Sequence, residues 1–297
     1  MNRSRMIPRI RHLILDFDET LTPVDTISLL TSAAYRLRPT TLPLLPPWNY
    51  FTESWLDDYN RHAQSYTHPR RTIDEECRFL ASLVPVERAS IRRIEKAGVF
   101  AGLRTADLAH AAEETVTVRP DFWWVCELVL DAGGRVSVLS VNWSKEWIRS
   151  ALGAAVAREC HGGEKERARF EHEVVVASNS FCSDGVTTTG EITRSPELGN
   201  DRGIWTAPDK AAMMEILVGE GVTEGSVVYV GDSSTDIMCL LRADVGVVIG
   251  NKLDETCRRF GIELVDQFTG ICQAKSGQKK LYKVHDLAML GRWIRRQ

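Results

Sequence analysis

Short runs rich in valine, isoleucine and leucine recur along the chain, and the patterns between them are mostly helical. Parallel strands cannot be joined by a tight turn and need a crossover, which a helix supplies. The alternation therefore reads as an α/β chain built on a mainly parallel sheet. The buried strands are expected at residues 11–17, 135–141, 174–177, 227–230 and 245–249. The intervening helices are expected at 121–132, 144–155, 210–217, 235–242, 253–260 and 286–294. Gly133-Gly134 closes the first of these helices and Ser144 caps the second. A Thr- and Gly-rich stretch at 184–191 reads as a hairpin or loop, and 275–280 as a polar loop.

Between Pro23 and Val118 this rhythm stops. No buried strand is legible there, and helices are expected at 26–37, 49–66, 72–83 and 86–97. Thr72-Ile73-Asp74-Glu75 is a capping-box pattern. Pro39, Pro43, Pro46 and Pro47 separate the first two helices. Residues 23–118 thus read as a helical insertion, a second small domain. Residues 1–22 and 119–297 then form the sheet-bearing core.

With 297 residues, 43% hydrophobic and 26% charged, the chain is long enough and apolar enough for a sizeable core. A formal net charge of −3 supplies no global basic field for nucleic acid or anionic membrane. No apolar run approaches the roughly 18–20 residues of a membrane span. The basic start, MNRSRMIPRIRH, reads as a solvated arm, since the first strand begins within it. Seven scattered cysteines without a CxxC pair fit a reduced, cytoplasmic protein better than a disulfide framework.

Chemistry concentrates at strand ends. Leu13-Ile14-Leu15-Asp16-Phe17-Asp18 delivers two carboxylates at the carboxyl end of an apolar strand, the edge where open α/β sheets bind ligands. Tyr229-Val230-Gly231-Asp232 through Asp236 does the same, with a glycine permitting the turn and two acids four residues apart. Crowded acids need a cation or a shared proton, and hard oxygen donors suit Mg2+. Ser140 ends another strand. Lys210 stands near a helix start, where the macrodipole disfavours a cation and an anionic partner is expected.

These four stretches, in this order, resemble motifs I to IV of the haloacid dehalogenase (HAD) superfamily, over roughly residues 10–22 and 119–265. The DFDETLT stretch, Thr189-Gly190-Glu191-Ile192 and the Asp209-Lys210 pair resemble its phosphoserine phosphatase-like branch. The resemblance implies a Rossmann-like three-layer core with an inserted α-helical cap. It implies a Mg2+-dependent phosphatase acting on a small phosphorylated metabolite. In that family Asp16 is the nucleophile that becomes an aspartyl-phosphate, and Asp18 is the general acid and base. Ser140 and Lys210 hold the phosphoryl group. Mg2+ is bound by Asp16, the carbonyl of Asp18, Asp232 and, directly or one layer out, Asp236. Thr20, Asp25 and Asn142 fall on the substrate side, with capping of the helix at Thr26 as the other reading of Asp25.

The chain departs from the branch after Ser140, where Val141-Asn142-Trp143 replaces glycines, so phosphoserine itself is disfavoured as substrate. Thr235 stands where asparagine is common, and Glu19 where glycine is common. A phosphotransferase or mutase on the same machinery, or a non-catalytic binding protein on the same scaffold, are the alternatives. Trp48, Tyr50, Phe51, Trp55 and Tyr59 form an aromatic cluster in the insertion. Phe51, Trp55 and Tyr59 share one helical stripe, the spacing of core packing. The sharper reading has one or two of the five closing over an apolar or cationic leaving group.

Overall fold

The computed structural model describes residues 9–161, 163–193, 198, 203–219, 225–266 and 280–296. The start of the basic arm, residues 275–279 of the polar loop and Cys272 lie outside them.

The chain opens with strand β1 (Ile10–Leu15), then helices α1 (Ile27–Leu37), α2 (Trp48–Ser65), α3 (Ile73–Ser82), α4 (Val84–Ala97) and α5 (Thr105–Thr115). Helix α6 (Phe122–Asp131), strand β2 (Arg135–Leu139), helices α7 (Lys145–Glu159) and α8 (Glu164–Glu173) and strand β3 (Val174–Ala177) follow. Strands β4 (Ser180–Ser183) and β5 (Thr188–Thr193) lead to helix α9 (Ala207–Val218), strand β6 (Ser226–Gly231), helix α10 (Ile237–Arg242) and strand β7 (Val245–Ile249). The chain ends with α11 (Asp254–Phe260), β8 (Glu263–Asp266), β9 (Lys280–Val284) and α12 (Leu287–Ile294).

Seven strands form one sheet in the order β3-β2-β1-β6-β7-β9-β8, and every pair is parallel. Side chains alternate across it. Leu13, Leu15, Val136, Val138, Val228, Val230 and Val247 pack into one core with α6, α7 and α12. Ile14, Leu139, Val227, Tyr229 and Val248 pack into a second core with α9, α10 and α11. The result is three layers. From β1 the chain runs outward to β2 and β3 on one side, then returns to place β6 on the other. The strand order therefore reverses between β1 and β6, which opens a crevice at their carboxyl ends.

Strands β8 and β9 and helices α5 and α8 have no counterpart in the sequence reading. Helix α8, EKERARFEHE, is polar on almost every face, and only its Phe170 is buried. Strand β8 is a short edge strand whose pattern carries little apolar signal.

The helices of the insertion do not form an isolated bundle. Helix α5 packs along α7, and α3 packs on α9. The β4–β5 hairpin stays outside the parallel sheet and joins the insertion: Gly102 N donates to Thr188 O (2.8 Å), and Phe100 stacks on Phe181 at 4.5 Å. The capping box at Thr72 is present, with Glu75 N donating to Thr72 Oγ1 and Thr72 N to Glu75 Oε2. Helices α2 and α4 are tied by Trp55 Nε1, which donates to Glu87 Oε1 (3.1 Å), and by the Arg93–Asp58 ion pair (2.6 Å).

Two outcomes test this packing. Leu152, fully buried in α7, is expected to cost about 2–5 kcal/mol as Leu152→Ala in urea unfolding. Leu44, 99% exposed, is expected to cost almost nothing as Leu44→Ala. Burial pushes the Glu87 carboxyl up to about 7 from 4.5, with the Trp55 hydrogen bond opposing it. Between these two values the folded state holds the extra proton, so stability falls as pH rises through that window. Glu87→Gln should flatten that part of the stability–pH curve.

Candidate active site

Asp16, directly after β1, and Asp232, directly after β6, meet at the crevice because those strands are neighbours in register, with Leu15 opposite Val230. Asp16 N donates to Val230 O (2.9 Å), which pins the first residue of the acidic loop to the adjacent strand. The loop then turns at Glu19, whose φ of 59° is left-handed. That conformation explains why glycine would be the easy choice there. Arg119 clamps the turn from the far end of the insertion, donating to Glu19 O (3.2 Å) and Thr20 O (3.1 Å).

Lys210 is wholly buried in the centre, and its Nζ donates to Asp16 Oδ1 (2.5 Å) and Asp236 Oδ1 (2.6 Å). Helix α9 starts three residues earlier than its pattern suggested. Asp209 Oδ2 accepts from Thr206 N and Oγ1 and closes the first turn, so Lys210 lies inside the helix. Carboxylates, not the helix terminus, decide its environment. Burial alone would lower its pKa, but Asp16 and Asp236 more than offset that and hold the ammonium above its usual range.

Asp236 is saturated. Its Oδ1 accepts from Lys210 and Tyr229 OH (2.7 Å), and its Oδ2 accepts from Asp232 N, Ser233 N and Ser233 Oγ, each at 3.1 Å. This folding-back requires Gly231, where an added Cβ would lie 2.4 Å from Asp236 Cγ. Asp232 is the opposite case. Its buried Oδ2 has the Lys252 ammonium at 3.1 Å as its partner among the described residues.

Carboxylate oxygens of Asp16, Asp232 and Asp236 lie within 4.8 Å of one another. One buried ammonium does not balance them. Burial and then Asp236 push the Asp16 carboxyl well up, against the pull of Lys210. Burial and Asp236 likewise raise Asp232, against Lys252. An under-neutralised cluster of hard oxygens, one of them met only by a half-exposed ammonium, fits a small divalent cation such as Mg2+. Asp16 and Asp232 have oxygens to offer it. Asp236, already carrying five hydrogen bonds, serves the frame.

Asp18 has hydrogen-bond partners of its own. Its Oδ1 accepts from Thr26 N (2.8 Å) and Thr26 Oγ1 (2.6 Å), and its Oδ2 from Asn142 Nδ2 (2.8 Å). Burial pushes its carboxyl up to about 6, with the Thr26 and Asn142 hydrogen bonds opposing it. Ser140 is buried at the end of β2, and its Oγ accepts from Asn142 N (3.1 Å), which leaves the hydroxyl proton to donate.

Thr20, Asp25 and Asn142, which the resemblance puts on the substrate side, each hydrogen-bond to neighbours within the protein. Thr20 Oγ1 bridges Asp16 Oδ2 (3.1 Å) and Asp232 Oδ1 (3.2 Å). Asn142 is fully buried, donating to Asp18 and Thr26 and accepting from Ser144 N. Asp25 is exposed and caps α1 by accepting from Ile27 N (2.8 Å). Of the aromatic cluster, Phe51 is buried in the core, and Trp55 and Tyr59 stack on each other at 5.5 Å. Trp48 reaches the core edge-on at Trp143 (6.2 Å), beside Asn142.

Tyr229, Thr26, Ser233 and Lys252 belong to the site but not to the sequence reading. Tyr229 had a signal, as the one polar side chain in the apolar run at 227–230. Lys252 had a weaker one, its place just beyond the carboxyl end of β7.

No protein-family model matches the sequence. It is 26% identical over 87% of its length to the "Bifunctional TH2 protein, mitochondrial" of Arabidopsis thaliana, of which it spans only 43%. It is 26% identical to "Cold tolerance protein 1" of Saccharomyces cerevisiae, covering 89% of this chain and 85% of that one. It is 28% identical to a CTO1 family protein of Schizosaccharomyces pombe, covering 92% and 95%. Among solved structures, a phospho-aspartyl intermediate analogue of phosphoserine phosphatase superposes with a TM-score of 0.47 at 11% identity, covering 96% of this chain and 99% of that one. Cytosolic 5′-nucleotidase IIIB bound to cytidine superposes with a TM-score of 0.48 at 13% identity, covering 96% and 86%. No helix among the described residues is long and apolar enough to cross a membrane.

Removing one partner of the buried frame should be measurable without any assay of activity. Tyr229→Phe keeps the shape and deletes the hydrogen bond to Asp236. It is expected to cost about 1.5–3 kcal/mol in urea unfolding.

Proposed function

We propose that this chain is a HAD-superfamily phosphatase that hydrolyses a small-molecule phosphate monoester with Mg2+. The observation that carries the reading is the convergence of Asp16, Lys210, Asp232 and Asp236 from distant parts of the sequence into one buried cluster, with Asp18 two residues beyond Asp16 on the same loop. A non-catalytic scaffold has no need of it. Asp16 and Asp232, with the carbonyl of Asp18, are the residues that would hold the metal. Bound there, Mg2+ supplies positive charge that lets an anionic nucleophile approach a phosphate dianion.

In this reading an Asp16 carboxylate oxygen attacks phosphorus, and the bond from phosphorus to the alcohol oxygen breaks. Asp18 gives its proton to the departing oxygen, and the phosphoryl group stays on Asp16. Asp18, now ionised, takes a proton from water as that water attacks phosphorus, and inorganic phosphate leaves with Asp16 restored. Thr26 and Asn142 aim the Asp18 carboxyl. Lys210 and the Ser140 hydroxyl meet the phosphoryl oxygens, where charge grows in the transition state. The helical insertion and the β4–β5 hairpin form the cap over this edge, and Trp48 and Trp143 are its contact with the leaving-group side. We place the protein in the cytoplasm, since its seven cysteines are scattered along the chain without the spacing of a disulfide framework.

Phosphate release from a panel of phosphorylated metabolites tests the reading. Release from one or a few compounds should require Mg2+, stop in EDTA and vanish in Asp16→Asn. Asp18→Asn should lower kcat by about 10²–10⁴-fold. Release that persists in EDTA and in Asp16→Asn would sink the proposal.

A further inference from the structure

One charged pair at the mouth of the crevice has no part in the chemistry above. Lys252 Nζ forms ion pairs with Glu19 Oε2 and with Asp232 Oδ2, the latter at 3.1 Å. The second contact is to an oxygen that has no other partner among the described residues. An ammonium group and a divalent ion against one carboxylate oxygen repel each other at that range, so each weakens the hold of the other.

Both ends of the arrangement are built. The Lys252 backbone leaves β7 through Gly250, whose φ of 80° is left-handed, and is anchored directly afterwards by the buried Leu253. The next residue, Asp254, is held by Lys283 Nζ with both carboxylate oxygens at 2.7 Å. Glu19 is fixed by its left-handed backbone and by the Arg119 clamp on its carbonyl. The Lys252 side chain itself is 49% exposed, so its tip has room to move between the two carboxylates.

We propose that Lys252 competes with the divalent cation for Asp232 Oδ2, and that Glu19 is the carboxylate on which its ammonium rests when the cation binds. Lys252 is then a positioning residue that sets metal affinity: it neutralises Asp232 until a cation takes over, and Glu19 keeps the displaced charge nearby. The inference rests on the metal-dependent reading of the site. It concerns affinity for the ion and makes no demand on the substrate.

Titration calorimetry with Mg2+ on the full chain tests it, together with melting temperatures with and without Mg2+. Lys252→Met should bind Mg2+ about three- to tenfold more tightly than the unmodified chain. Without Mg2+ it should melt at a lower temperature, since Asp232 loses its counter-charge, and Mg2+ should raise its melting temperature by more. Glu19→Gln should bind Mg2+ more weakly, and that loss should shrink in the Glu19→Gln/Lys252→Met double variant. Lys252→Gln, which keeps a polar tip, should repeat the gain if methionine disturbs folding. Equal or weaker Mg2+ binding by both Lys252 variants, with the unmodified chain binding normally, overturns this inference and leaves the phosphatase reading standing. No Mg2+ binding by any of the proteins at millimolar concentration removes the metal-dependent reading, and this inference with it.

Discussion

A lysine ammonium with no solvent exposure, held between two carboxylates, is the constraint on which the rest of this structure depends. Taking such a charge out of water costs several kcal/mol, and only close, well-aligned counter-charges offset it. Lys210 meets that condition through Asp16 and Asp236. The condition propagates outward. Asp236 reaches Lys210 only because Gly231 has no side chain to block it. Asp16 reaches it only because β1 and β6 are adjacent and in register. Tyr229 and the Ser233 backbone then hold Asp236 in place. The sheet order, one glycine and one tyrosine are thus tied to a single buried charge.

The same geometry separates two jobs that the sequence spreads over four aspartates. Asp236 is fully engaged by hydrogen bonds and frames the site. Asp16 and Asp232 are neutralised only in part, and Thr20 holds them side by side. Asp18, two residues from Asp16, is in a different environment altogether. It accepts hydrogen bonds from Thr26 and Asn142, and desolvation pushes its carboxyl up to about 6. Four aspartates at one sheet edge thus have three different sets of partners.

The insertion and hairpin add a second layer of dependence. Helix α5 lies along α7, whose amino end is capped by Ser144, itself hydrogen-bonded to Asn142. Thr26, at the start of α1, donates to Asp18 from the other direction. The acid is therefore held jointly by the core and by the first residues of the insertion. Aromatic packing between Trp48 and Trp143 and between Phe100 and Phe181 joins the two along the same edge.

The sequence by itself determined the parallel α/β core, the helical character of residues 23–118 and the strand ends that carry Asp16, Ser140 and Asp232. Those are local properties: apolar period, capping residues and glycine turns are written in neighbouring positions. The polar helix α8 and the edge strand β8 escaped it, because neither buries enough apolar surface to leave a pattern. Only the tertiary structure decided what each polar side chain touches. Asn142 and Thr20 reach Asp18, Asp16 and Asp232 through contacts that no local pattern announces. Lys252 and Tyr229 became part of the site through neighbours that are distant or on another strand face. Hydrogen bonds and ion pairs depend on ångström-scale distance and direction, and in a parallel sheet those are set by which strands are adjacent, across as many as 233 residues of chain in the case of Lys252 and Glu19.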